Sequence, residues 1–190
     1  MDALLVIDMQ RGFDDPRWGR RNNPRAEANG LQVLAHWRRT GRPVIMVRHD
    51  STALASPLRP DQPGNAFMPG FEPQPGEGLI AKTVNSAFIG TPLETRLRAA
   101  GITAVTLFGL TTDQCVSTTA RMAANLGFAV TVVADACACF DQKALDGATV
   151  TADLIHLVHL TTLNTEFGRV VDTRSLIESM ETASCAPFAS

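Results

Sequence analysis

Residues 102–128 read ITAVTLFGL followed by TTDQCVSTTARMAANLGF, an apolar, β-branched run that passes into a stretch with helical spacing. The first part is typical of a buried strand, and Thr111, Thr112 and Asp113 are residue types that favour a helix start. Cys115 is therefore predicted in the first turn of a helix, at the carboxyl end of a strand. Backbone N–H groups and the helix dipole favour a thiolate there and can hold an oxyanion. The alternative interpretation is a small cysteine buried for packing.

A buried strand followed by a helix recurs along the chain. The predicted strands are 3–8, 43–48, 79–82, 102–110, 129–135 and 168–171, and the predicted helices are 23–39, 91–100, 113–126, 147–160 and 173–181. Such alternation is typical of a parallel sheet with helices on both faces. We predict the α/β class: a three-layer αβα sandwich with a Rossmann-like, mostly parallel six-stranded sheet, in a single domain over 1–190. Residues 50–78 show neither periodicity and are predicted as a long irregular loop, which is often functional.

Composition and charge exclude several classes of protein. Lys plus Arg number 17 and Asp plus Glu 19, so the chain lacks the basic field of a nucleic-acid binder. We expect a small-molecule substrate as partner and no nucleic acid. No apolar run approaches the roughly 18 residues of a membrane span, and the N-terminus lacks a basic signal region. We therefore expect no membrane partner and a cytoplasmic protein. Cys137 and Cys139 match neither a zinc motif nor a disulfide framework and are interpreted as packing residues.

Two charged residues follow the ends of other predicted strands. Asp8 ends the first apolar run and Lys82 follows LIA, the third. In an open parallel sheet the ligand crevice lies at the carboxyl ends of the strands, so Asp8, Lys82 and Cys115 are predicted to emerge at one sheet edge. Each charged residue also has a plainer interpretation, because Asp8 can cap the following turn and Lys82 can be a solvated surface group.

These three residues stand in an ordered series of motifs that resembles the isochorismatase-like cysteine hydrolases over nearly the whole chain. The motifs are LLVIDMQRGF (4–13), RHD (48–50), KTVNSAFIGTPLE (82–94), GLTTDQCVSTTARMAANLGF (109–128), VVADACACF (132–140) and LNTEF (163–167). The resemblance implies a catalytic triad of Asp8, Lys82 and Cys115. It also implies a cis peptide bond between Leu110 and Thr111, and an oxyanion hole formed by the backbone N–H groups of Thr111 and Cys115.

The implied triad predicts acyl transfer. Lys82 stabilises the sulfur anion, while Asp8 takes the thiol proton and returns it to the departing amine. Water activated by Asp8 then hydrolyses the thioester, and no nicotinamide, flavin or nucleotide cofactor is needed. The predicted function is a cysteine hydrolase that cleaves an amide-type C–N bond of a small molecule.

Departures from the family pattern narrow this prediction. The nicotinamidase branch holds a metal through an Asp-x-His pair, whereas here Asp50 is followed by Ser51 and Thr52, and the loop 50–78 contains no histidine. We therefore predict no metal, and the chain looks most like the branch that includes streptothricin hydrolase. One alternative is an isochorismatase-type vinyl-ether hydrolase, which does not need Cys115. A second is a catalytically silent domain of the same fold that binds a small ligand.

Three further residues are candidates for substrate binding. Phe13 and Trp18 lie just past Asp8, in a segment that must cross the mouth of the crevice, but both could equally cover the core. His49 follows the second strand and could orient substrate or make a structural hydrogen bond. His156 and a histidine three residues later are interpreted as a packed or solvated pair. The resemblance and an apolar content of 45% also predict a homo-oligomer, a dimer or larger.

Overall fold

The computed structural model describes residues 1–185. The predicted domain, 1–190, includes five residues that lie outside that range. The strands are β1 (Asp2–Ile7), β2 (Val44–His49), β3 (Gly78–Lys82), β4 (Ala104–Gly109), β5 (Ala129–Val133), β6 (Gln142–Lys143), β7 (Thr149–Val150) and β8 (Arg169–Val171). Six of them form one sheet in the order β3-β2-β1-β4-β5-β8, with every neighbouring pair parallel, while β6 and β7 form a separate antiparallel hairpin.

Helices flank the sheet, as predicted. They are α1 (Ala26–Arg39), α2 (Leu93–Ala99), α3 (Ser117–Asn125), α4 (Ala152–Thr162) and α5 (Thr173–Cys185). The predicted α/β class and the six-stranded parallel sheet are therefore confirmed. Within the described range, none of these helices combines the length and apolarity needed to cross a bilayer.

β1 lies in the middle of the sheet, and each residue from Ala3 to Ile7 is fully buried. A parallel strand covered on both faces reads as a continuous apolar run, which explains the strength of the ALLVI signal. Gly109 ends β4 beside β1 with φ of +140°, and a Cβ there would lie 1.9 Å from the Ile7 carbonyl oxygen. Glycine permits this approach, which brings the carboxyl ends of β1 and β4 together.

The long loop between β2 and β3 packs against the segment that follows β1. The Met68 N–H donates to the Met9 carbonyl at 2.9 Å, and the Arg11 N–H donates to the Ala66 carbonyl at 2.9 Å. The predicted irregular character is confirmed, because the loop's ordered element is one short 3-10 turn, Pro63–Asn65. The loop therefore lies beside the carboxyl end of β1.

Three predicted helices begin later than the sequence suggests, and those predicted at 23–39 and 91–100 begin at Ala26 and Leu93. The helix predicted at 147–160 starts at Ala152, because the preceding residues form β7 and pair with β6. Thr151 caps α4, since its hydroxyl accepts a hydrogen bond from the Leu154 N–H at 3.3 Å. Residues 149–150 therefore form a strand with β6 although their sequence pattern predicts a helix.

Two other boundaries differ near the predicted site. The helix predicted at 113–126 is split into a π-helical turn, Thr112–Val116, followed by α3. We call residues 112–116 the Cys115 turn. The strand predicted at 3–8 ends at Ile7, because Asp8 has a φ of +51°, outside the extended region. Asp is among the few non-glycine residue types that adopt this conformation readily.

Candidate active site

The carboxyl ends of β1 and β3 and the turn after β4 bring Asp8, Lys82 and Cys115 into contact. Lys82 Nζ lies 2.6 Å from Asp8 Oδ2 and 3.3 Å from Cys115 Sγ. The side chains of Asp8 and Lys82 have no exposed surface, and Cys115 is buried. The interpretation of Lys82 as a solvated surface group is therefore wrong.

The Asp8 carboxylate combines an ion pair with an unused acceptor. Burial raises its pKa, and the adjacent Lys82 ammonium partly opposes this shift. Oδ2 accepts from Lys82, whereas Oδ1 is buried and has no hydrogen-bond partner among the described residues. The Cys115 thiol lies beside this carboxylate and is placed to donate to it.

Lys82 occupies the centre of the site. Its ammonium has three N–H donors, and Nζ contacts Asp8 Oδ2, His49 Nδ1 at 3.0 Å and Cys115 Sγ. The ligand-type atoms of Asp8, His49 and Cys115 lie within 4.8 Å of one another, a donor set that could hold a metal ion. The space among them is already taken by a fixed positive charge. These residues therefore do not fit a metal while Lys82 keeps this position.

Asp50, the position where the nicotinamidase branch holds its metal, is used differently in this chain. Its carboxylate accepts hydrogen bonds from Arg48 Nε at 2.8 Å and Nη2 at 3.1 Å, and from Asn65 Nδ2 at 3.0 Å. Its pKa is lowered by the hydrogen bonds from Arg48 and Asn65, against the opposing effect of burial. Asp50 therefore belongs to an ion pair that shapes the loop after β2.

His49 is held as a neutral ring. Burial, and then the positive charge of Lys82, lower the pKa of His49 to about 4. Because Nδ1 faces a lysine that can only donate, the neutral ring carries its proton on Nε2. The His49 main chain is fixed by Gln10, whose Oε1 accepts from the His49 N–H at 2.8 Å and whose Nε2 donates to the His49 carbonyl at 3.1 Å.

Cys115 is the fourth residue of the Cys115 turn. The Thr111 carbonyl accepts hydrogen bonds from the N–H groups of Gln114 and Val116, at 3.2 and 3.1 Å, and the Leu110–Thr111 peptide bond is cis. Burial raises the pKa of the Cys115 thiol, and the negative charge of Asp8 raises it further. A raised pKa opposes the thiolate that a helix start favours, so the thiol needs a base to take its proton.

A cavity of about 520 Å³ opens onto this cluster. The predicted residues Phe13, Trp18, His49, Thr111 and Cys115 all line it. The ring centroids of Phe13 and Trp18 lie 5.5 Å apart, and Trp18 Nε1 donates to the Gly12 carbonyl at 2.7 Å. The cavity thus has an aromatic wall, which includes Phe13 and Trp18, and a polar floor at His49, Thr111 and Cys115.

Phe140 completes the aromatic wall and was missed by the sequence analysis. Its ring centroid lies 5.7 Å from that of Trp18 and 6.3 Å from that of Phe13. It follows β5 at the end of VVADACACF, where an aromatic after an apolar run could have been taken as a signal. The cavity also has polar lining residues that were not predicted: Arg17, Ser51, Ser56, Asn85, Asp113, Gln114, Asp141 and Gln142.

Asn65 is a second residue that the sequence did not reveal. Its buried amide Nδ2 lies 2.8 Å from the Leu58 carbonyl, 3.2 Å from the His49 carbonyl and 3.0 Å from Asp50. It therefore ties the long loop to the end of β2, and no periodicity marks it.

Cys137 and Cys139 lie outside the cavity lining and are not bonded to each other. Both are buried, and burial raises the pKa of each thiol to about 12. Cys139 Sγ donates to the Ala152 carbonyl at 3.2 Å. Their interpretation as packing residues agrees with these surroundings.

Comparison with known proteins identifies the family. The sequence matches the isochorismatase domain over residues 2–174. The chain belongs to the isochorismatase family. YrdC, an uncharacterized isochorismatase family protein from Bacillus subtilis, is 43% identical over 175 residues, which cover 92% of this chain and 94% of YrdC.

Two further relatives support the same assignment. The crystal structure of an isochorismatase-family protein from Chromobacterium violaceum has a TM-score of 0.92 and 45% identity, covering 95% of this chain and 94% of that chain. Streptothricin hydrolase from Streptomyces noursei is 33% identical over 144 residues, 76% of this chain and 52% of that enzyme. The predicted family is confirmed, and the protein is an isochorismatase-family hydrolase.

Proposed function

We propose that this isochorismatase-family hydrolase cleaves an amide-type C–N bond of a small molecule through a Cys115 thioester, without a metal. The observation that carries the proposal is the contact of one buried ammonium, Lys82 Nζ, with Cys115 Sγ at 3.3 Å and Asp8 Oδ2 at 2.6 Å. Nucleophile, cation and base then act as one catalytic unit at the floor of a cavity.

In the first step the Cys115 sulfur attacks the amide carbonyl carbon while its proton passes to Asp8. Asp8 is suited to this role because its buried Oδ1 has no other partner among the described residues. A thiol with a raised pKa needs such a base, and the Lys82 N–H stabilises the charge that develops on sulfur. The carbonyl electron pair moves to oxygen, where the backbone N–H groups of Thr111 and Cys115 would hold it.

The intermediate then collapses. Asp8 returns the proton to the departing nitrogen, and the C–N bond breaks. Ammonia or an amine is released, and the acyl group remains on Cys115 as a thioester. Water next gives a proton to Asp8 and attacks the thioester carbon. The C–S bond breaks, the acid is released, and the sulfur regains its proton from Asp8. Every proton is thus handled by one carboxylate.

Two observations support a reaction without a metal. The Lys82 ammonium supplies the positive charge among Asp8, His49 and Cys115, and the Asp50 carboxylate is engaged by Arg48. The thiol is itself the nucleophile, so no bound water needs a lowered pKa.

The cavity supports a small substrate with a flat or apolar part. The aromatic wall of Phe13, Trp18 and Phe140 offers ring faces and edges for packing. The neutral His49 ring lines the cavity and supplies an N–H donor for substrate. The similarity to streptothricin hydrolase supports hydrolysis as the reaction.

The proposal is tested with a panel of small amides and ureides together with a vinyl ether, measuring amine or ammonia release and ether cleavage. We expect amine release from a member of the amide set and no cleavage of the vinyl ether. The same panel run with Cys137→Ala controls for loss of a buried thiol outside the cavity. Ether cleavage without amide hydrolysis would contradict the proposal and favour the vinyl-ether hydrolase.

A further inference from the structure

We propose that His156, on α4, is a positioning residue that holds the Cys115 turn through Thr112. The inference rests on the proposed function of Cys115 and adds a residue from outside the cavity. It adds a role for His156 to the sequence interpretation of this ring as one of a packed or solvated pair.

The contact between His156 and Thr112 is short and part-buried. His156 Nδ1 lies 2.8 Å from Thr112 Oγ1, and Thr112 has no exposed surface. Thr112 is the first residue of the Cys115 turn, and its N–H donates to the Ala138 carbonyl at 2.9 Å. The start of the turn is therefore fixed twice, by its main chain to Ala138 and by its side chain to His156.

The second ring nitrogen fixes the orientation of the imidazole. His156 Nε2 lies 3.4 Å from Asn23 Nδ2, which also donates to the Cys137 carbonyl at 2.7 Å and to the Ala134 carbonyl at 3.2 Å. An amide nitrogen can only donate, so Nε2 is the acceptor, and the neutral ring carries its proton on Nδ1 and donates it to Thr112. A chain of contacts thus runs from Asn23, before α1, through α4 to the Cys115 turn.

Burial favours the neutral form of this ring. Burial lowers the pKa of His156, and the carboxylates of Asp153 and Asp113 oppose the shift. A protonated ring would place two donors face to face at Asn23. The neutral form is therefore the one that supports the Thr112 contact.

Positioning matters because Cys115 Sγ must stay 3.3 Å from Lys82 Nζ and beside Asp8. A displacement of about 1 Å at a reacting group can cost about 100-fold in rate. Neither His156 nor Thr112 is among the residues that line the cavity. Their loss should therefore lower kcat and leave KM almost unchanged.

His159 provides a matched control on the same helix. Its Nδ1 lies 3.5 Å from the hydroxyl of Ser117, which follows the Cys115 turn. Both histidines are partly buried, and both contact a hydroxyl near Cys115. Replacing His159 therefore removes a similar ring without removing the Thr112 contact.

The experiment compares His156→Leu, Thr112→Val, His156→Asn and His159→Leu. The asparagine amide can place an N–H close to the Nδ1 position. His156→Asn should therefore keep the wild-type alkylation profile and kcat that His156→Leu loses. The first readout is the pH dependence of Cys115 alkylation by iodoacetamide, followed by peptide mass spectrometry, which needs no substrate. The second is kcat and KM on an amide from the panel.

We expect His156→Leu and Thr112→Val to lower kcat about 10- to 100-fold with KM within about threefold. The pH at which alkylation reaches half its maximum rate should fall from above the ordinary cysteine pKa toward about 8.5, because the thiol moves away from Asp8. The double variant should lose no more than either single variant. His159→Leu should match the wild type.

The two proposals fail separately. Thr112→Val keeps the shape of the side chain, so it remains a valid test even if His156→Leu does not fold. An alkylation profile in Thr112→Val that equals the wild-type profile would overturn the positioning role. A shifted profile in both variants, in a protein that hydrolyses no amide, would leave His156 in its role and refute the proposed function.

Discussion

Replacing Lys82 by Met tests the buried ion pair at the centre of the site. Lys82→Met leaves the Asp8 carboxylate, which has no exposed surface, without its 2.6 Å partner. Breaking a buried ion pair by removing one partner costs about 3–5 kcal/mol. For a chain of this length each kcal/mol lowers Tm by about 2–4 °C, so Tm should fall by about 6–20 °C.

A second substitution separates the loss of the pair from loss of packing. Asp8→Asn in the Lys82→Met background removes the uncompensated charge, so the double variant should recover most of the lost stability. The single variant should also respond to pH. In folded Lys82→Met, Asp8 holds its proton at pH values at which Asp8 of the unfolded chain has already lost it. The free energy of unfolding of this variant should therefore fall as pH rises above about 4.

The assay is urea unfolding followed by circular dichroism at several pH values. Arg174→Met, which breaks the exposed pair with Glu178, is the control and should leave the free energy of unfolding unchanged. The reasoning is refuted if Lys82→Met unfolds within about 1 kcal/mol of the wild type at pH 7, or if the double variant is no more stable than the single.

Three other predictions concern reactivity, metals and assembly. Because burial and Asp8 raise the pKa of Cys115, its alkylation should be slow at pH 7 and accelerate above the ordinary cysteine value of about 8.5; fast alkylation at pH 7 would contradict the shift. Amide hydrolysis should survive dialysis against EDTA; loss of activity that zinc, iron or manganese restores would mean that a metal acts in the site. We also propose a homo-oligomer whose contact includes the exposed Leu157 of α4: Leu157→Glu should lower the mass found by light scattering, and a wild-type mass of 20.4 kDa would contradict the proposal.

Much of the fold could be predicted from the sequence because the central strands are buried on both faces. The runs ending at Ile7 and Gly109 are continuous and apolar, and parallel neighbours align their carboxyl ends. That alignment is enough to predict that Asp8, Lys82 and Cys115 share one sheet edge.

The remaining features depend on contacts between distant parts of the chain. The hairpin residues 149–150 pair with 142–143, and nothing local distinguishes them from a helix start. Asn65 reaches the end of β2 only because the irregular loop that carries it folds back onto that strand, and no local pattern predicts this path. The pKa of Cys115 depends on its neighbours, because burial and then the charge of Asp8 raise it against the opposing effect of Lys82.

The role of Cys115 is tested most directly by the rate at which Cys115→Ala releases amine from a substrate of the wild-type enzyme. Cys137→Ala, which removes a buried thiol outside the cavity, is measured beside it. We expect Cys115→Ala to lose more than about 10⁴-fold in kcat, because a catalytic unit fails when its nucleophile is removed, and Cys137→Ala to keep the wild-type rate. Turnover by Cys115→Ala within about tenfold of the wild type would contradict a Cys115 thioester.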